Sequence, residues 1–78
     1  MMHAQSDKAL ALENRLEMAQ SDTARVHAYN DLARFYREFD KEKAYNYTYE
    51  AEKIANLISY QRGLGVVFEN YTIITYRA

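Results

Sequence analysis

The chain has 78 residues, no cysteine, no proline and two glycines, Gly63 and Gly65; ten basic against eleven acidic residues leave a net charge of −1. That length suffices for one domain, and a domain so small buries only roughly 60% of its unfolded surface. The missing cysteines exclude disulfide staples and thiolate metal sites, and the balanced charge gives no general attraction to a phosphate backbone, so nucleic acid is not an expected partner.

The longest uncharged apolar run, Gly63 to Phe68, is far short of a membrane span, so no membrane insertion is expected. The start, Met1-Met2-His3-Ala4-Gln5, lacks the basic and hydrophobic regions of a signal peptide. The expectation is a soluble chain, cytoplasmic as given, or periplasmic if a leader was removed ahead of Ala4-Gln5-Ser6. With so few turn residues, a few long helices are expected rather than many short strands.

The first helix is predicted over about Asp7 to Ala19, where Ala9, Leu12, Leu16 and Ala19 recur at helical spacing. Ser6 or Asp7 is placed to cap it, since a short side-chain oxygen can accept from a free backbone N–H. Ser21-Asp22-Thr23 then interrupts the stripe and offers further caps. The second helix is predicted from about Thr23 to Glu38, with Val26, Tyr29, Leu32, Ala33 and Tyr36 as its apolar stripe. His27, Asn30, Arg34 and Arg37 fall on another face.

Phe39-Asp40-Lys41-Glu42 is the next break, with Asp40 as N-cap and Glu42 suited to the helix dipole. The third helix follows from about Lys41 to Ile58. Its stripe is Ala44, Tyr47, Thr48, Ala51, Ile54, Ala55 and Ile58, whose small residues let two helices approach closely. Ser59 is expected to cap the fourth helix, about Tyr60 to Tyr76. Gly63 and Gly65 each cost it about 1 kcal/mol relative to alanine. The β-branched residues Val66, Val67, Ile73 and Ile74 make a strand the competing assignment. Leu64, Val67, Phe68, Tyr71, Ile74 and Thr75 fit a helical period better, and a lone strand would have no partner.

The segment Tyr29-x-x-Leu32-Ala33-x-x-Tyr36 resembles the first-helix signature of tetratricopeptide repeats, with Tyr29 where tryptophan or another large residue is usual. Ala44-x-x-x-Thr48-x-x-Ala51 resembles the second-helix signature, with Thr48 in place of the usual aromatic. The turn Phe39-Asp40-Lys41-Glu42-Lys43-Ala44 is similar to an Asp-Pro-Glu-Lys-Ala turn, with Lys41 for proline. A degenerate second copy follows when Leu32 is aligned with Tyr71, a spacing of 39 residues against the usual period of about 34.

The resemblance implies an all-α fold of antiparallel helix hairpins, about four helices forming a fragment of a right-handed superhelix. Residues 1–78 then form a single domain. Residues 6–20 make a leading or capping helix, 22–58 the first repeat hairpin, and 59–78 the first helix of the second repeat. The phrasing around Ser21-Asp22-Thr23-Ala24-Arg25-Val26 and Arg62-Gly63-Leu64-Gly65 is also similar to N-terminal repeat regions of bacterial sensor histidine kinases and related signalling proteins.

The resemblance further implies a protein-interaction module rather than an enzyme, with no cofactor and a protein or peptide partner. The family's peptide groove, carried over, falls on His27, Asn30, Arg34 and Arg37, with Glu69, Ile73 and Tyr76 in the second copy. An asparagine amide and a guanidinium four residues apart could hold a peptide backbone or a carboxylate. The plainer reading is a solvated polar face.

About three repeats are usually needed for stability. The unfinished end therefore points to a homo-oligomer, a dimer joined through Leu64, Val67, Phe68, Tyr71 and Ile74 of the fourth helix. Tyr29, Tyr36, Tyr47 and Tyr71 are expected in the core. Tyr45 and Tyr49 lie off the main stripe, as interface or as ordinary repeat packing.

His3 and His27 make no metal pair. Glu13 with Glu17, and Glu50 with Glu52, read as solvated charge rather than acid–base groups. Gly63-x-Gly65 lacks the lysine and serine of a phosphate loop. The rival reading is a small helical-bundle enzyme with its active site between protomers, using Arg34, Arg37 and Glu38.

Overall fold

Four helices account for nearly all of the structure, a computed structural model that describes residues 3–76 and their side chains from residue 7 onward. They are α1 (His3–Glu17), α2 (Asp22–Tyr36), α3 (Lys41–Leu57) and α4 (Gln61–Tyr76). No strand occurs among the described residues, so the all-α expectation holds.

The helix ends follow local chemistry. α1 is already helical at His3, so Ser6 and Asp7 lie inside it rather than capping it. The good helix formers Ala4 and Gln5 continue the helix past the expected start. Ser21 caps α2: its backbone is extended and its hydroxyl accepts from the Ala24 N–H at 3.1 Å. Asp40 caps α3 in the same way, accepting from the Lys43 N–H at 3.1 Å.

Ser59 plays a different part from the one expected. Its φ is 55°, in the left-handed region. Its N–H bonds to the Asn56 carbonyl at 3.2 Å, and the Tyr60 N–H bonds to the Ala55 carbonyl at 2.8 Å. These two bonds are the Schellman closure of α3, with serine where glycine is usual. The Tyr60 carbonyl then accepts from the Leu64 N–H at 3.1 Å and opens α4.

Helix α2 is the hub, packing against α1, α3 and α4, while among the described residues α1 packs only on α2. The core cluster is Val26, Ala51, Ala55 and Val67, all fully buried. Tyr29, Ile54, Tyr60, Leu64 and Tyr71 close over it. The expected small-residue stripe of α3 is buried at Ala44, Thr48, Ala51 and Ala55. Thr48, an unusual polar residue for such a seam, donates its hydroxyl to the Ala44 carbonyl at 2.7 Å and so enters the core satisfied.

Gly63 explains how α4 reaches α2. A Cβ there would lie 2.6 Å from Val26 Cγ1 and 2.7 Å from Tyr60 Cδ2. The absent side chain therefore sets the helix separation. Gly65 faces open space, with nothing within 4 Å of a Cβ built on it.

Helices α2 and α4 run parallel in a constant register. Hydrogen bonds join His27 to Tyr60, Asn30 to Gly63 and Arg37 to Asn70, each pair 33 residues apart. No helix among the described residues is long and apolar enough to cross a membrane.

Candidate protein-interaction surfaces

The four residues expected to line a groove separate in the structure. Three of them face α4. Asn30 is buried, not exposed, and its amide donates to the Gly63 carbonyl at 3.3 Å. The amide of Asn70, itself fully buried, donates to the Asn30 carbonyl and to Asn30 Oδ1, both at 3.4 Å. Arg37 donates to Asn70 Oδ1 at 2.8 Å. His27 Nε2 and the Tyr60 hydroxyl share a hydrogen bond of 2.7 Å, with the rings edge to face.

Asn30 and Arg37 therefore hold two helices together. The physical reason is that a buried polar group needs a partner, and α4 supplies it. No buried side-chain nitrogen or oxygen among the described residues lacks one. Of the second-copy positions, Glu69 and Tyr76 are exposed and Ile73 is half-buried.

Arg34 alone of the four turns the other way. It borders an open cleft of about 430 Å³ between α1 and α2, lined by Lys8, Leu12, Asp31, Arg34, Phe35 and Phe39. Arg15 on α1 bridges to Asp31 on α2 at 2.9 Å along the same seam. Phe35 and Phe39 stand edge to face with ring centroids 5.0 Å apart. Phe35 lies in the last turn of α2 and Phe39 in the turn after it, and this aromatic pair beside the helix end was the available sequence signal for the site. The break assigned at Phe39 concealed it.

The end-helix face also changes on inspection. Val67 is fully buried and Ile74 nearly so, and Leu64 and Tyr71 pack on the core. These four are engaged within the chain and do not form an open contact surface. Phe68 is the member that remains outside, 58% exposed. Tyr45 and Tyr49 on α3 are half-exposed, and Tyr45 meets the Tyr71 ring at 5.5 Å between centroids. Phe68 is three residues from Tyr71 and adjoins it on the helix surface. An aromatic face thus runs across α3 and α4.

The expected core tyrosines are partly buried. Tyr29, Tyr36 and Tyr47 form a ladder between α2 and α3, with centroids 6.0 and 5.9 Å apart. Burial pushes the Tyr47 hydroxyl above the ordinary tyrosine range, with the Glu13 charge adding to it. Tyr71 is raised further. Burial is the main cause, followed by the 2.7 Å hydrogen bond its hydroxyl donates to Glu52 Oε1 and by the Glu52 charge. Tyr71 thus stays neutral and donates to Glu52.

The rival catalytic cluster does not converge. Arg34 faces the α1–α2 cleft, Arg37 turns to Asn70 on α4, and Glu38 is exposed outside that cleft's lining. No group of three His, Asp or Glu residues that could hold a metal occurs among the described residues. The His3 side chain lies outside them.

Comparison with protein-family models, with curated proteins and with solved structures finds no match. The tetratricopeptide resemblance therefore rests on this chain's own residues.

Proposed function

We propose that the chain is a protein-interaction and assembly module of the tetratricopeptide type that self-associates as a homodimer. The observation that carries this reading is the aromatic face of α3 and α4 set against a thin core. Among the described residues ten hydrophobic side chains are buried, and five of them are alanines: Ala28, Ala33, Ala44, Ala51 and Ala55. Alanine removes little apolar area from water, so the core gains little from each. Phe68, Tyr45 and Tyr49 meanwhile remain about half-exposed or more. Covering them with a second copy supplies the burial that the chain lacks, the usual remedy for so small a scaffold.

Two further observations support the repeat reading. The motif residues Leu32, Ala33, Ala44 and Ala51 are all fully buried in the α2–α3 hairpin. The parallel stacking of α4 on α2 has a register of 33 residues, not the 39 expected from aligning Leu32 with Tyr71, and 33 is close to the family period of about 34. By the same resemblance the module would serve as the signal-input or scaffold part of a bacterial signalling protein, with no catalytic residue of its own.

Light scattering over a range of concentrations tests the dimer. The wild type should approach twice the chain mass as concentration rises, and Phe68→Asp should remain at the monomer mass with unchanged helicity. A wild type that is folded and strictly monomeric throughout would refute self-association.

A further inference from the structure

We propose that the α1–α2 cleft docks an acidic peptide segment, one that presents a carboxylate beside an apolar side chain. This goes beyond self-association and uses a different part of the surface. Of the residues expected for a groove, only Arg34 borders it.

The charge around the cleft opposes that of the chain. Lys8 and Arg34 line it against a single lining carboxylate, Asp31. Arg15 already bridges Asp31, which leaves Lys8 and Arg34 without an ion-pair partner among the described residues. Both are exposed and sit on opposite walls. A chain with a net charge of −1 thus keeps two uncommitted cations at one opening. Two cations are too few to track a phosphate backbone, whose binding rests on many such contacts. They suffice for one or two carboxylates, and the guanidinium fork matches a carboxylate in two parallel hydrogen bonds.

The floor supplies the second half of the recognition. Leu12 is nearly buried, Phe35 is half-buried and Phe39 is 53% exposed. Two aromatic rings and a leucine beneath two cations form an apolar centre with a polar rim, the usual anatomy of a peptide contact. The volume of about 430 Å³ falls within the range of ligand pockets, about 300–1,000 Å³.

Selection from a displayed library of random linear peptides on the intact chain tests this. Enriched sequences should place Asp or Glu next to Leu, Ile or Phe. A synthetic peptide of that consensus should bind wild type about tenfold more tightly than Arg34→Gln, equivalent to about 1.4 kcal/mol. Lys8→Gln should weaken it in the same direction, and amide versions of the peptide's acids should lose a similar factor. Both substitutions remove exposed charges with no ion-pair partner among the described residues, and circular dichroism verifies that each variant is folded.

An enriched consensus without acids, equal binding by Arg34→Gln, or no enrichment at all would overturn the proposal. None of these outcomes bears on the dimer, whose contacts lie on α3 and α4 and are read by light scattering.

Discussion

Replacing each glycine of α4 by alanine separates helix propensity from helix packing. Both Gly63→Ala and Gly65→Ala gain about 1 kcal/mol of intrinsic propensity. At Gly65 nothing opposes that gain, since the new methyl meets open space. At Gly63 the methyl would lie 2.6 Å from Val26 Cγ1. Val26 is fully buried and β-branched on a helix, so it has essentially one rotamer and nowhere to turn. Tyr60, 2.7 Å away on the other side, is held by its hydrogen bond to His27. Overpacking of this kind costs about 1–3 kcal/mol.

The propensity terms cancel between the two variants. Their difference therefore reports the packing at residue 63 against Val26 of α2 and against Tyr60, at about 2 kcal/mol. For a domain of this size that separates the thermal midpoints by about 8–16 °C. Thermal and urea unfolding followed by helical circular dichroism should place Gly65→Ala above wild type and Gly63→Ala at or below it. Equal stabilisation by both substitutions would show that α4 does not approach α2 as described.

Ser59→Gly should raise stability by about 0.5–1 kcal/mol in urea unfolding, because the left-handed cost of serine outweighs the extra freedom that glycine gives the unfolded chain. Asn70→Ala should lose about 1–3 kcal/mol in the same assay, since it strips Arg37 of its acceptor and leaves Asn30 short of a donor. Tyr71 and Tyr47 are both raised above their ordinary value in the fold, so their neutral forms contribute stability that is intact below about pH 10 and declines as pH rises beyond it. Chemical denaturation across that alkaline limb should show the decline, and Tyr71→Phe should flatten it; an unchanged slope would contradict the assignment.

The helices and two of their caps were legible because they depend on neighbours in sequence. Asp40 and the Ser21 region announced helix starts, and the small residues Ala44, Thr48, Ala51 and Ala55 announced a close seam. Asn30 was not legible, because residue type assigns asparagine to solvent unless a partner is known. Its partners, Asn70 and the Gly63 carbonyl, lie 40 and 33 residues away. Asn70 itself left a trace: it falls between Val67 and Ile74 at helical spacing, on the buried side of α4. The apolar stripe of α4 was read correctly as a face. Whether that face met its own chain or another could be decided only by the docking of α4 on α2 and α3. Ser59 escaped for a similar reason, since serine before a helix suggests a start and only the backbone reveals an ending.

The placement of α1 has a consequence for motion. Among the described residues it rests on α2 alone, while α2 is enclosed by three neighbours. Amide hydrogens of α1 can therefore exchange with solvent through a detachment that leaves α2, α3 and α4 assembled, whereas those of α2 wait for the whole chain to open. One wall of the cleft is thus a detachable lever, and any occupant that touches Lys8 and Arg34 together fastens it.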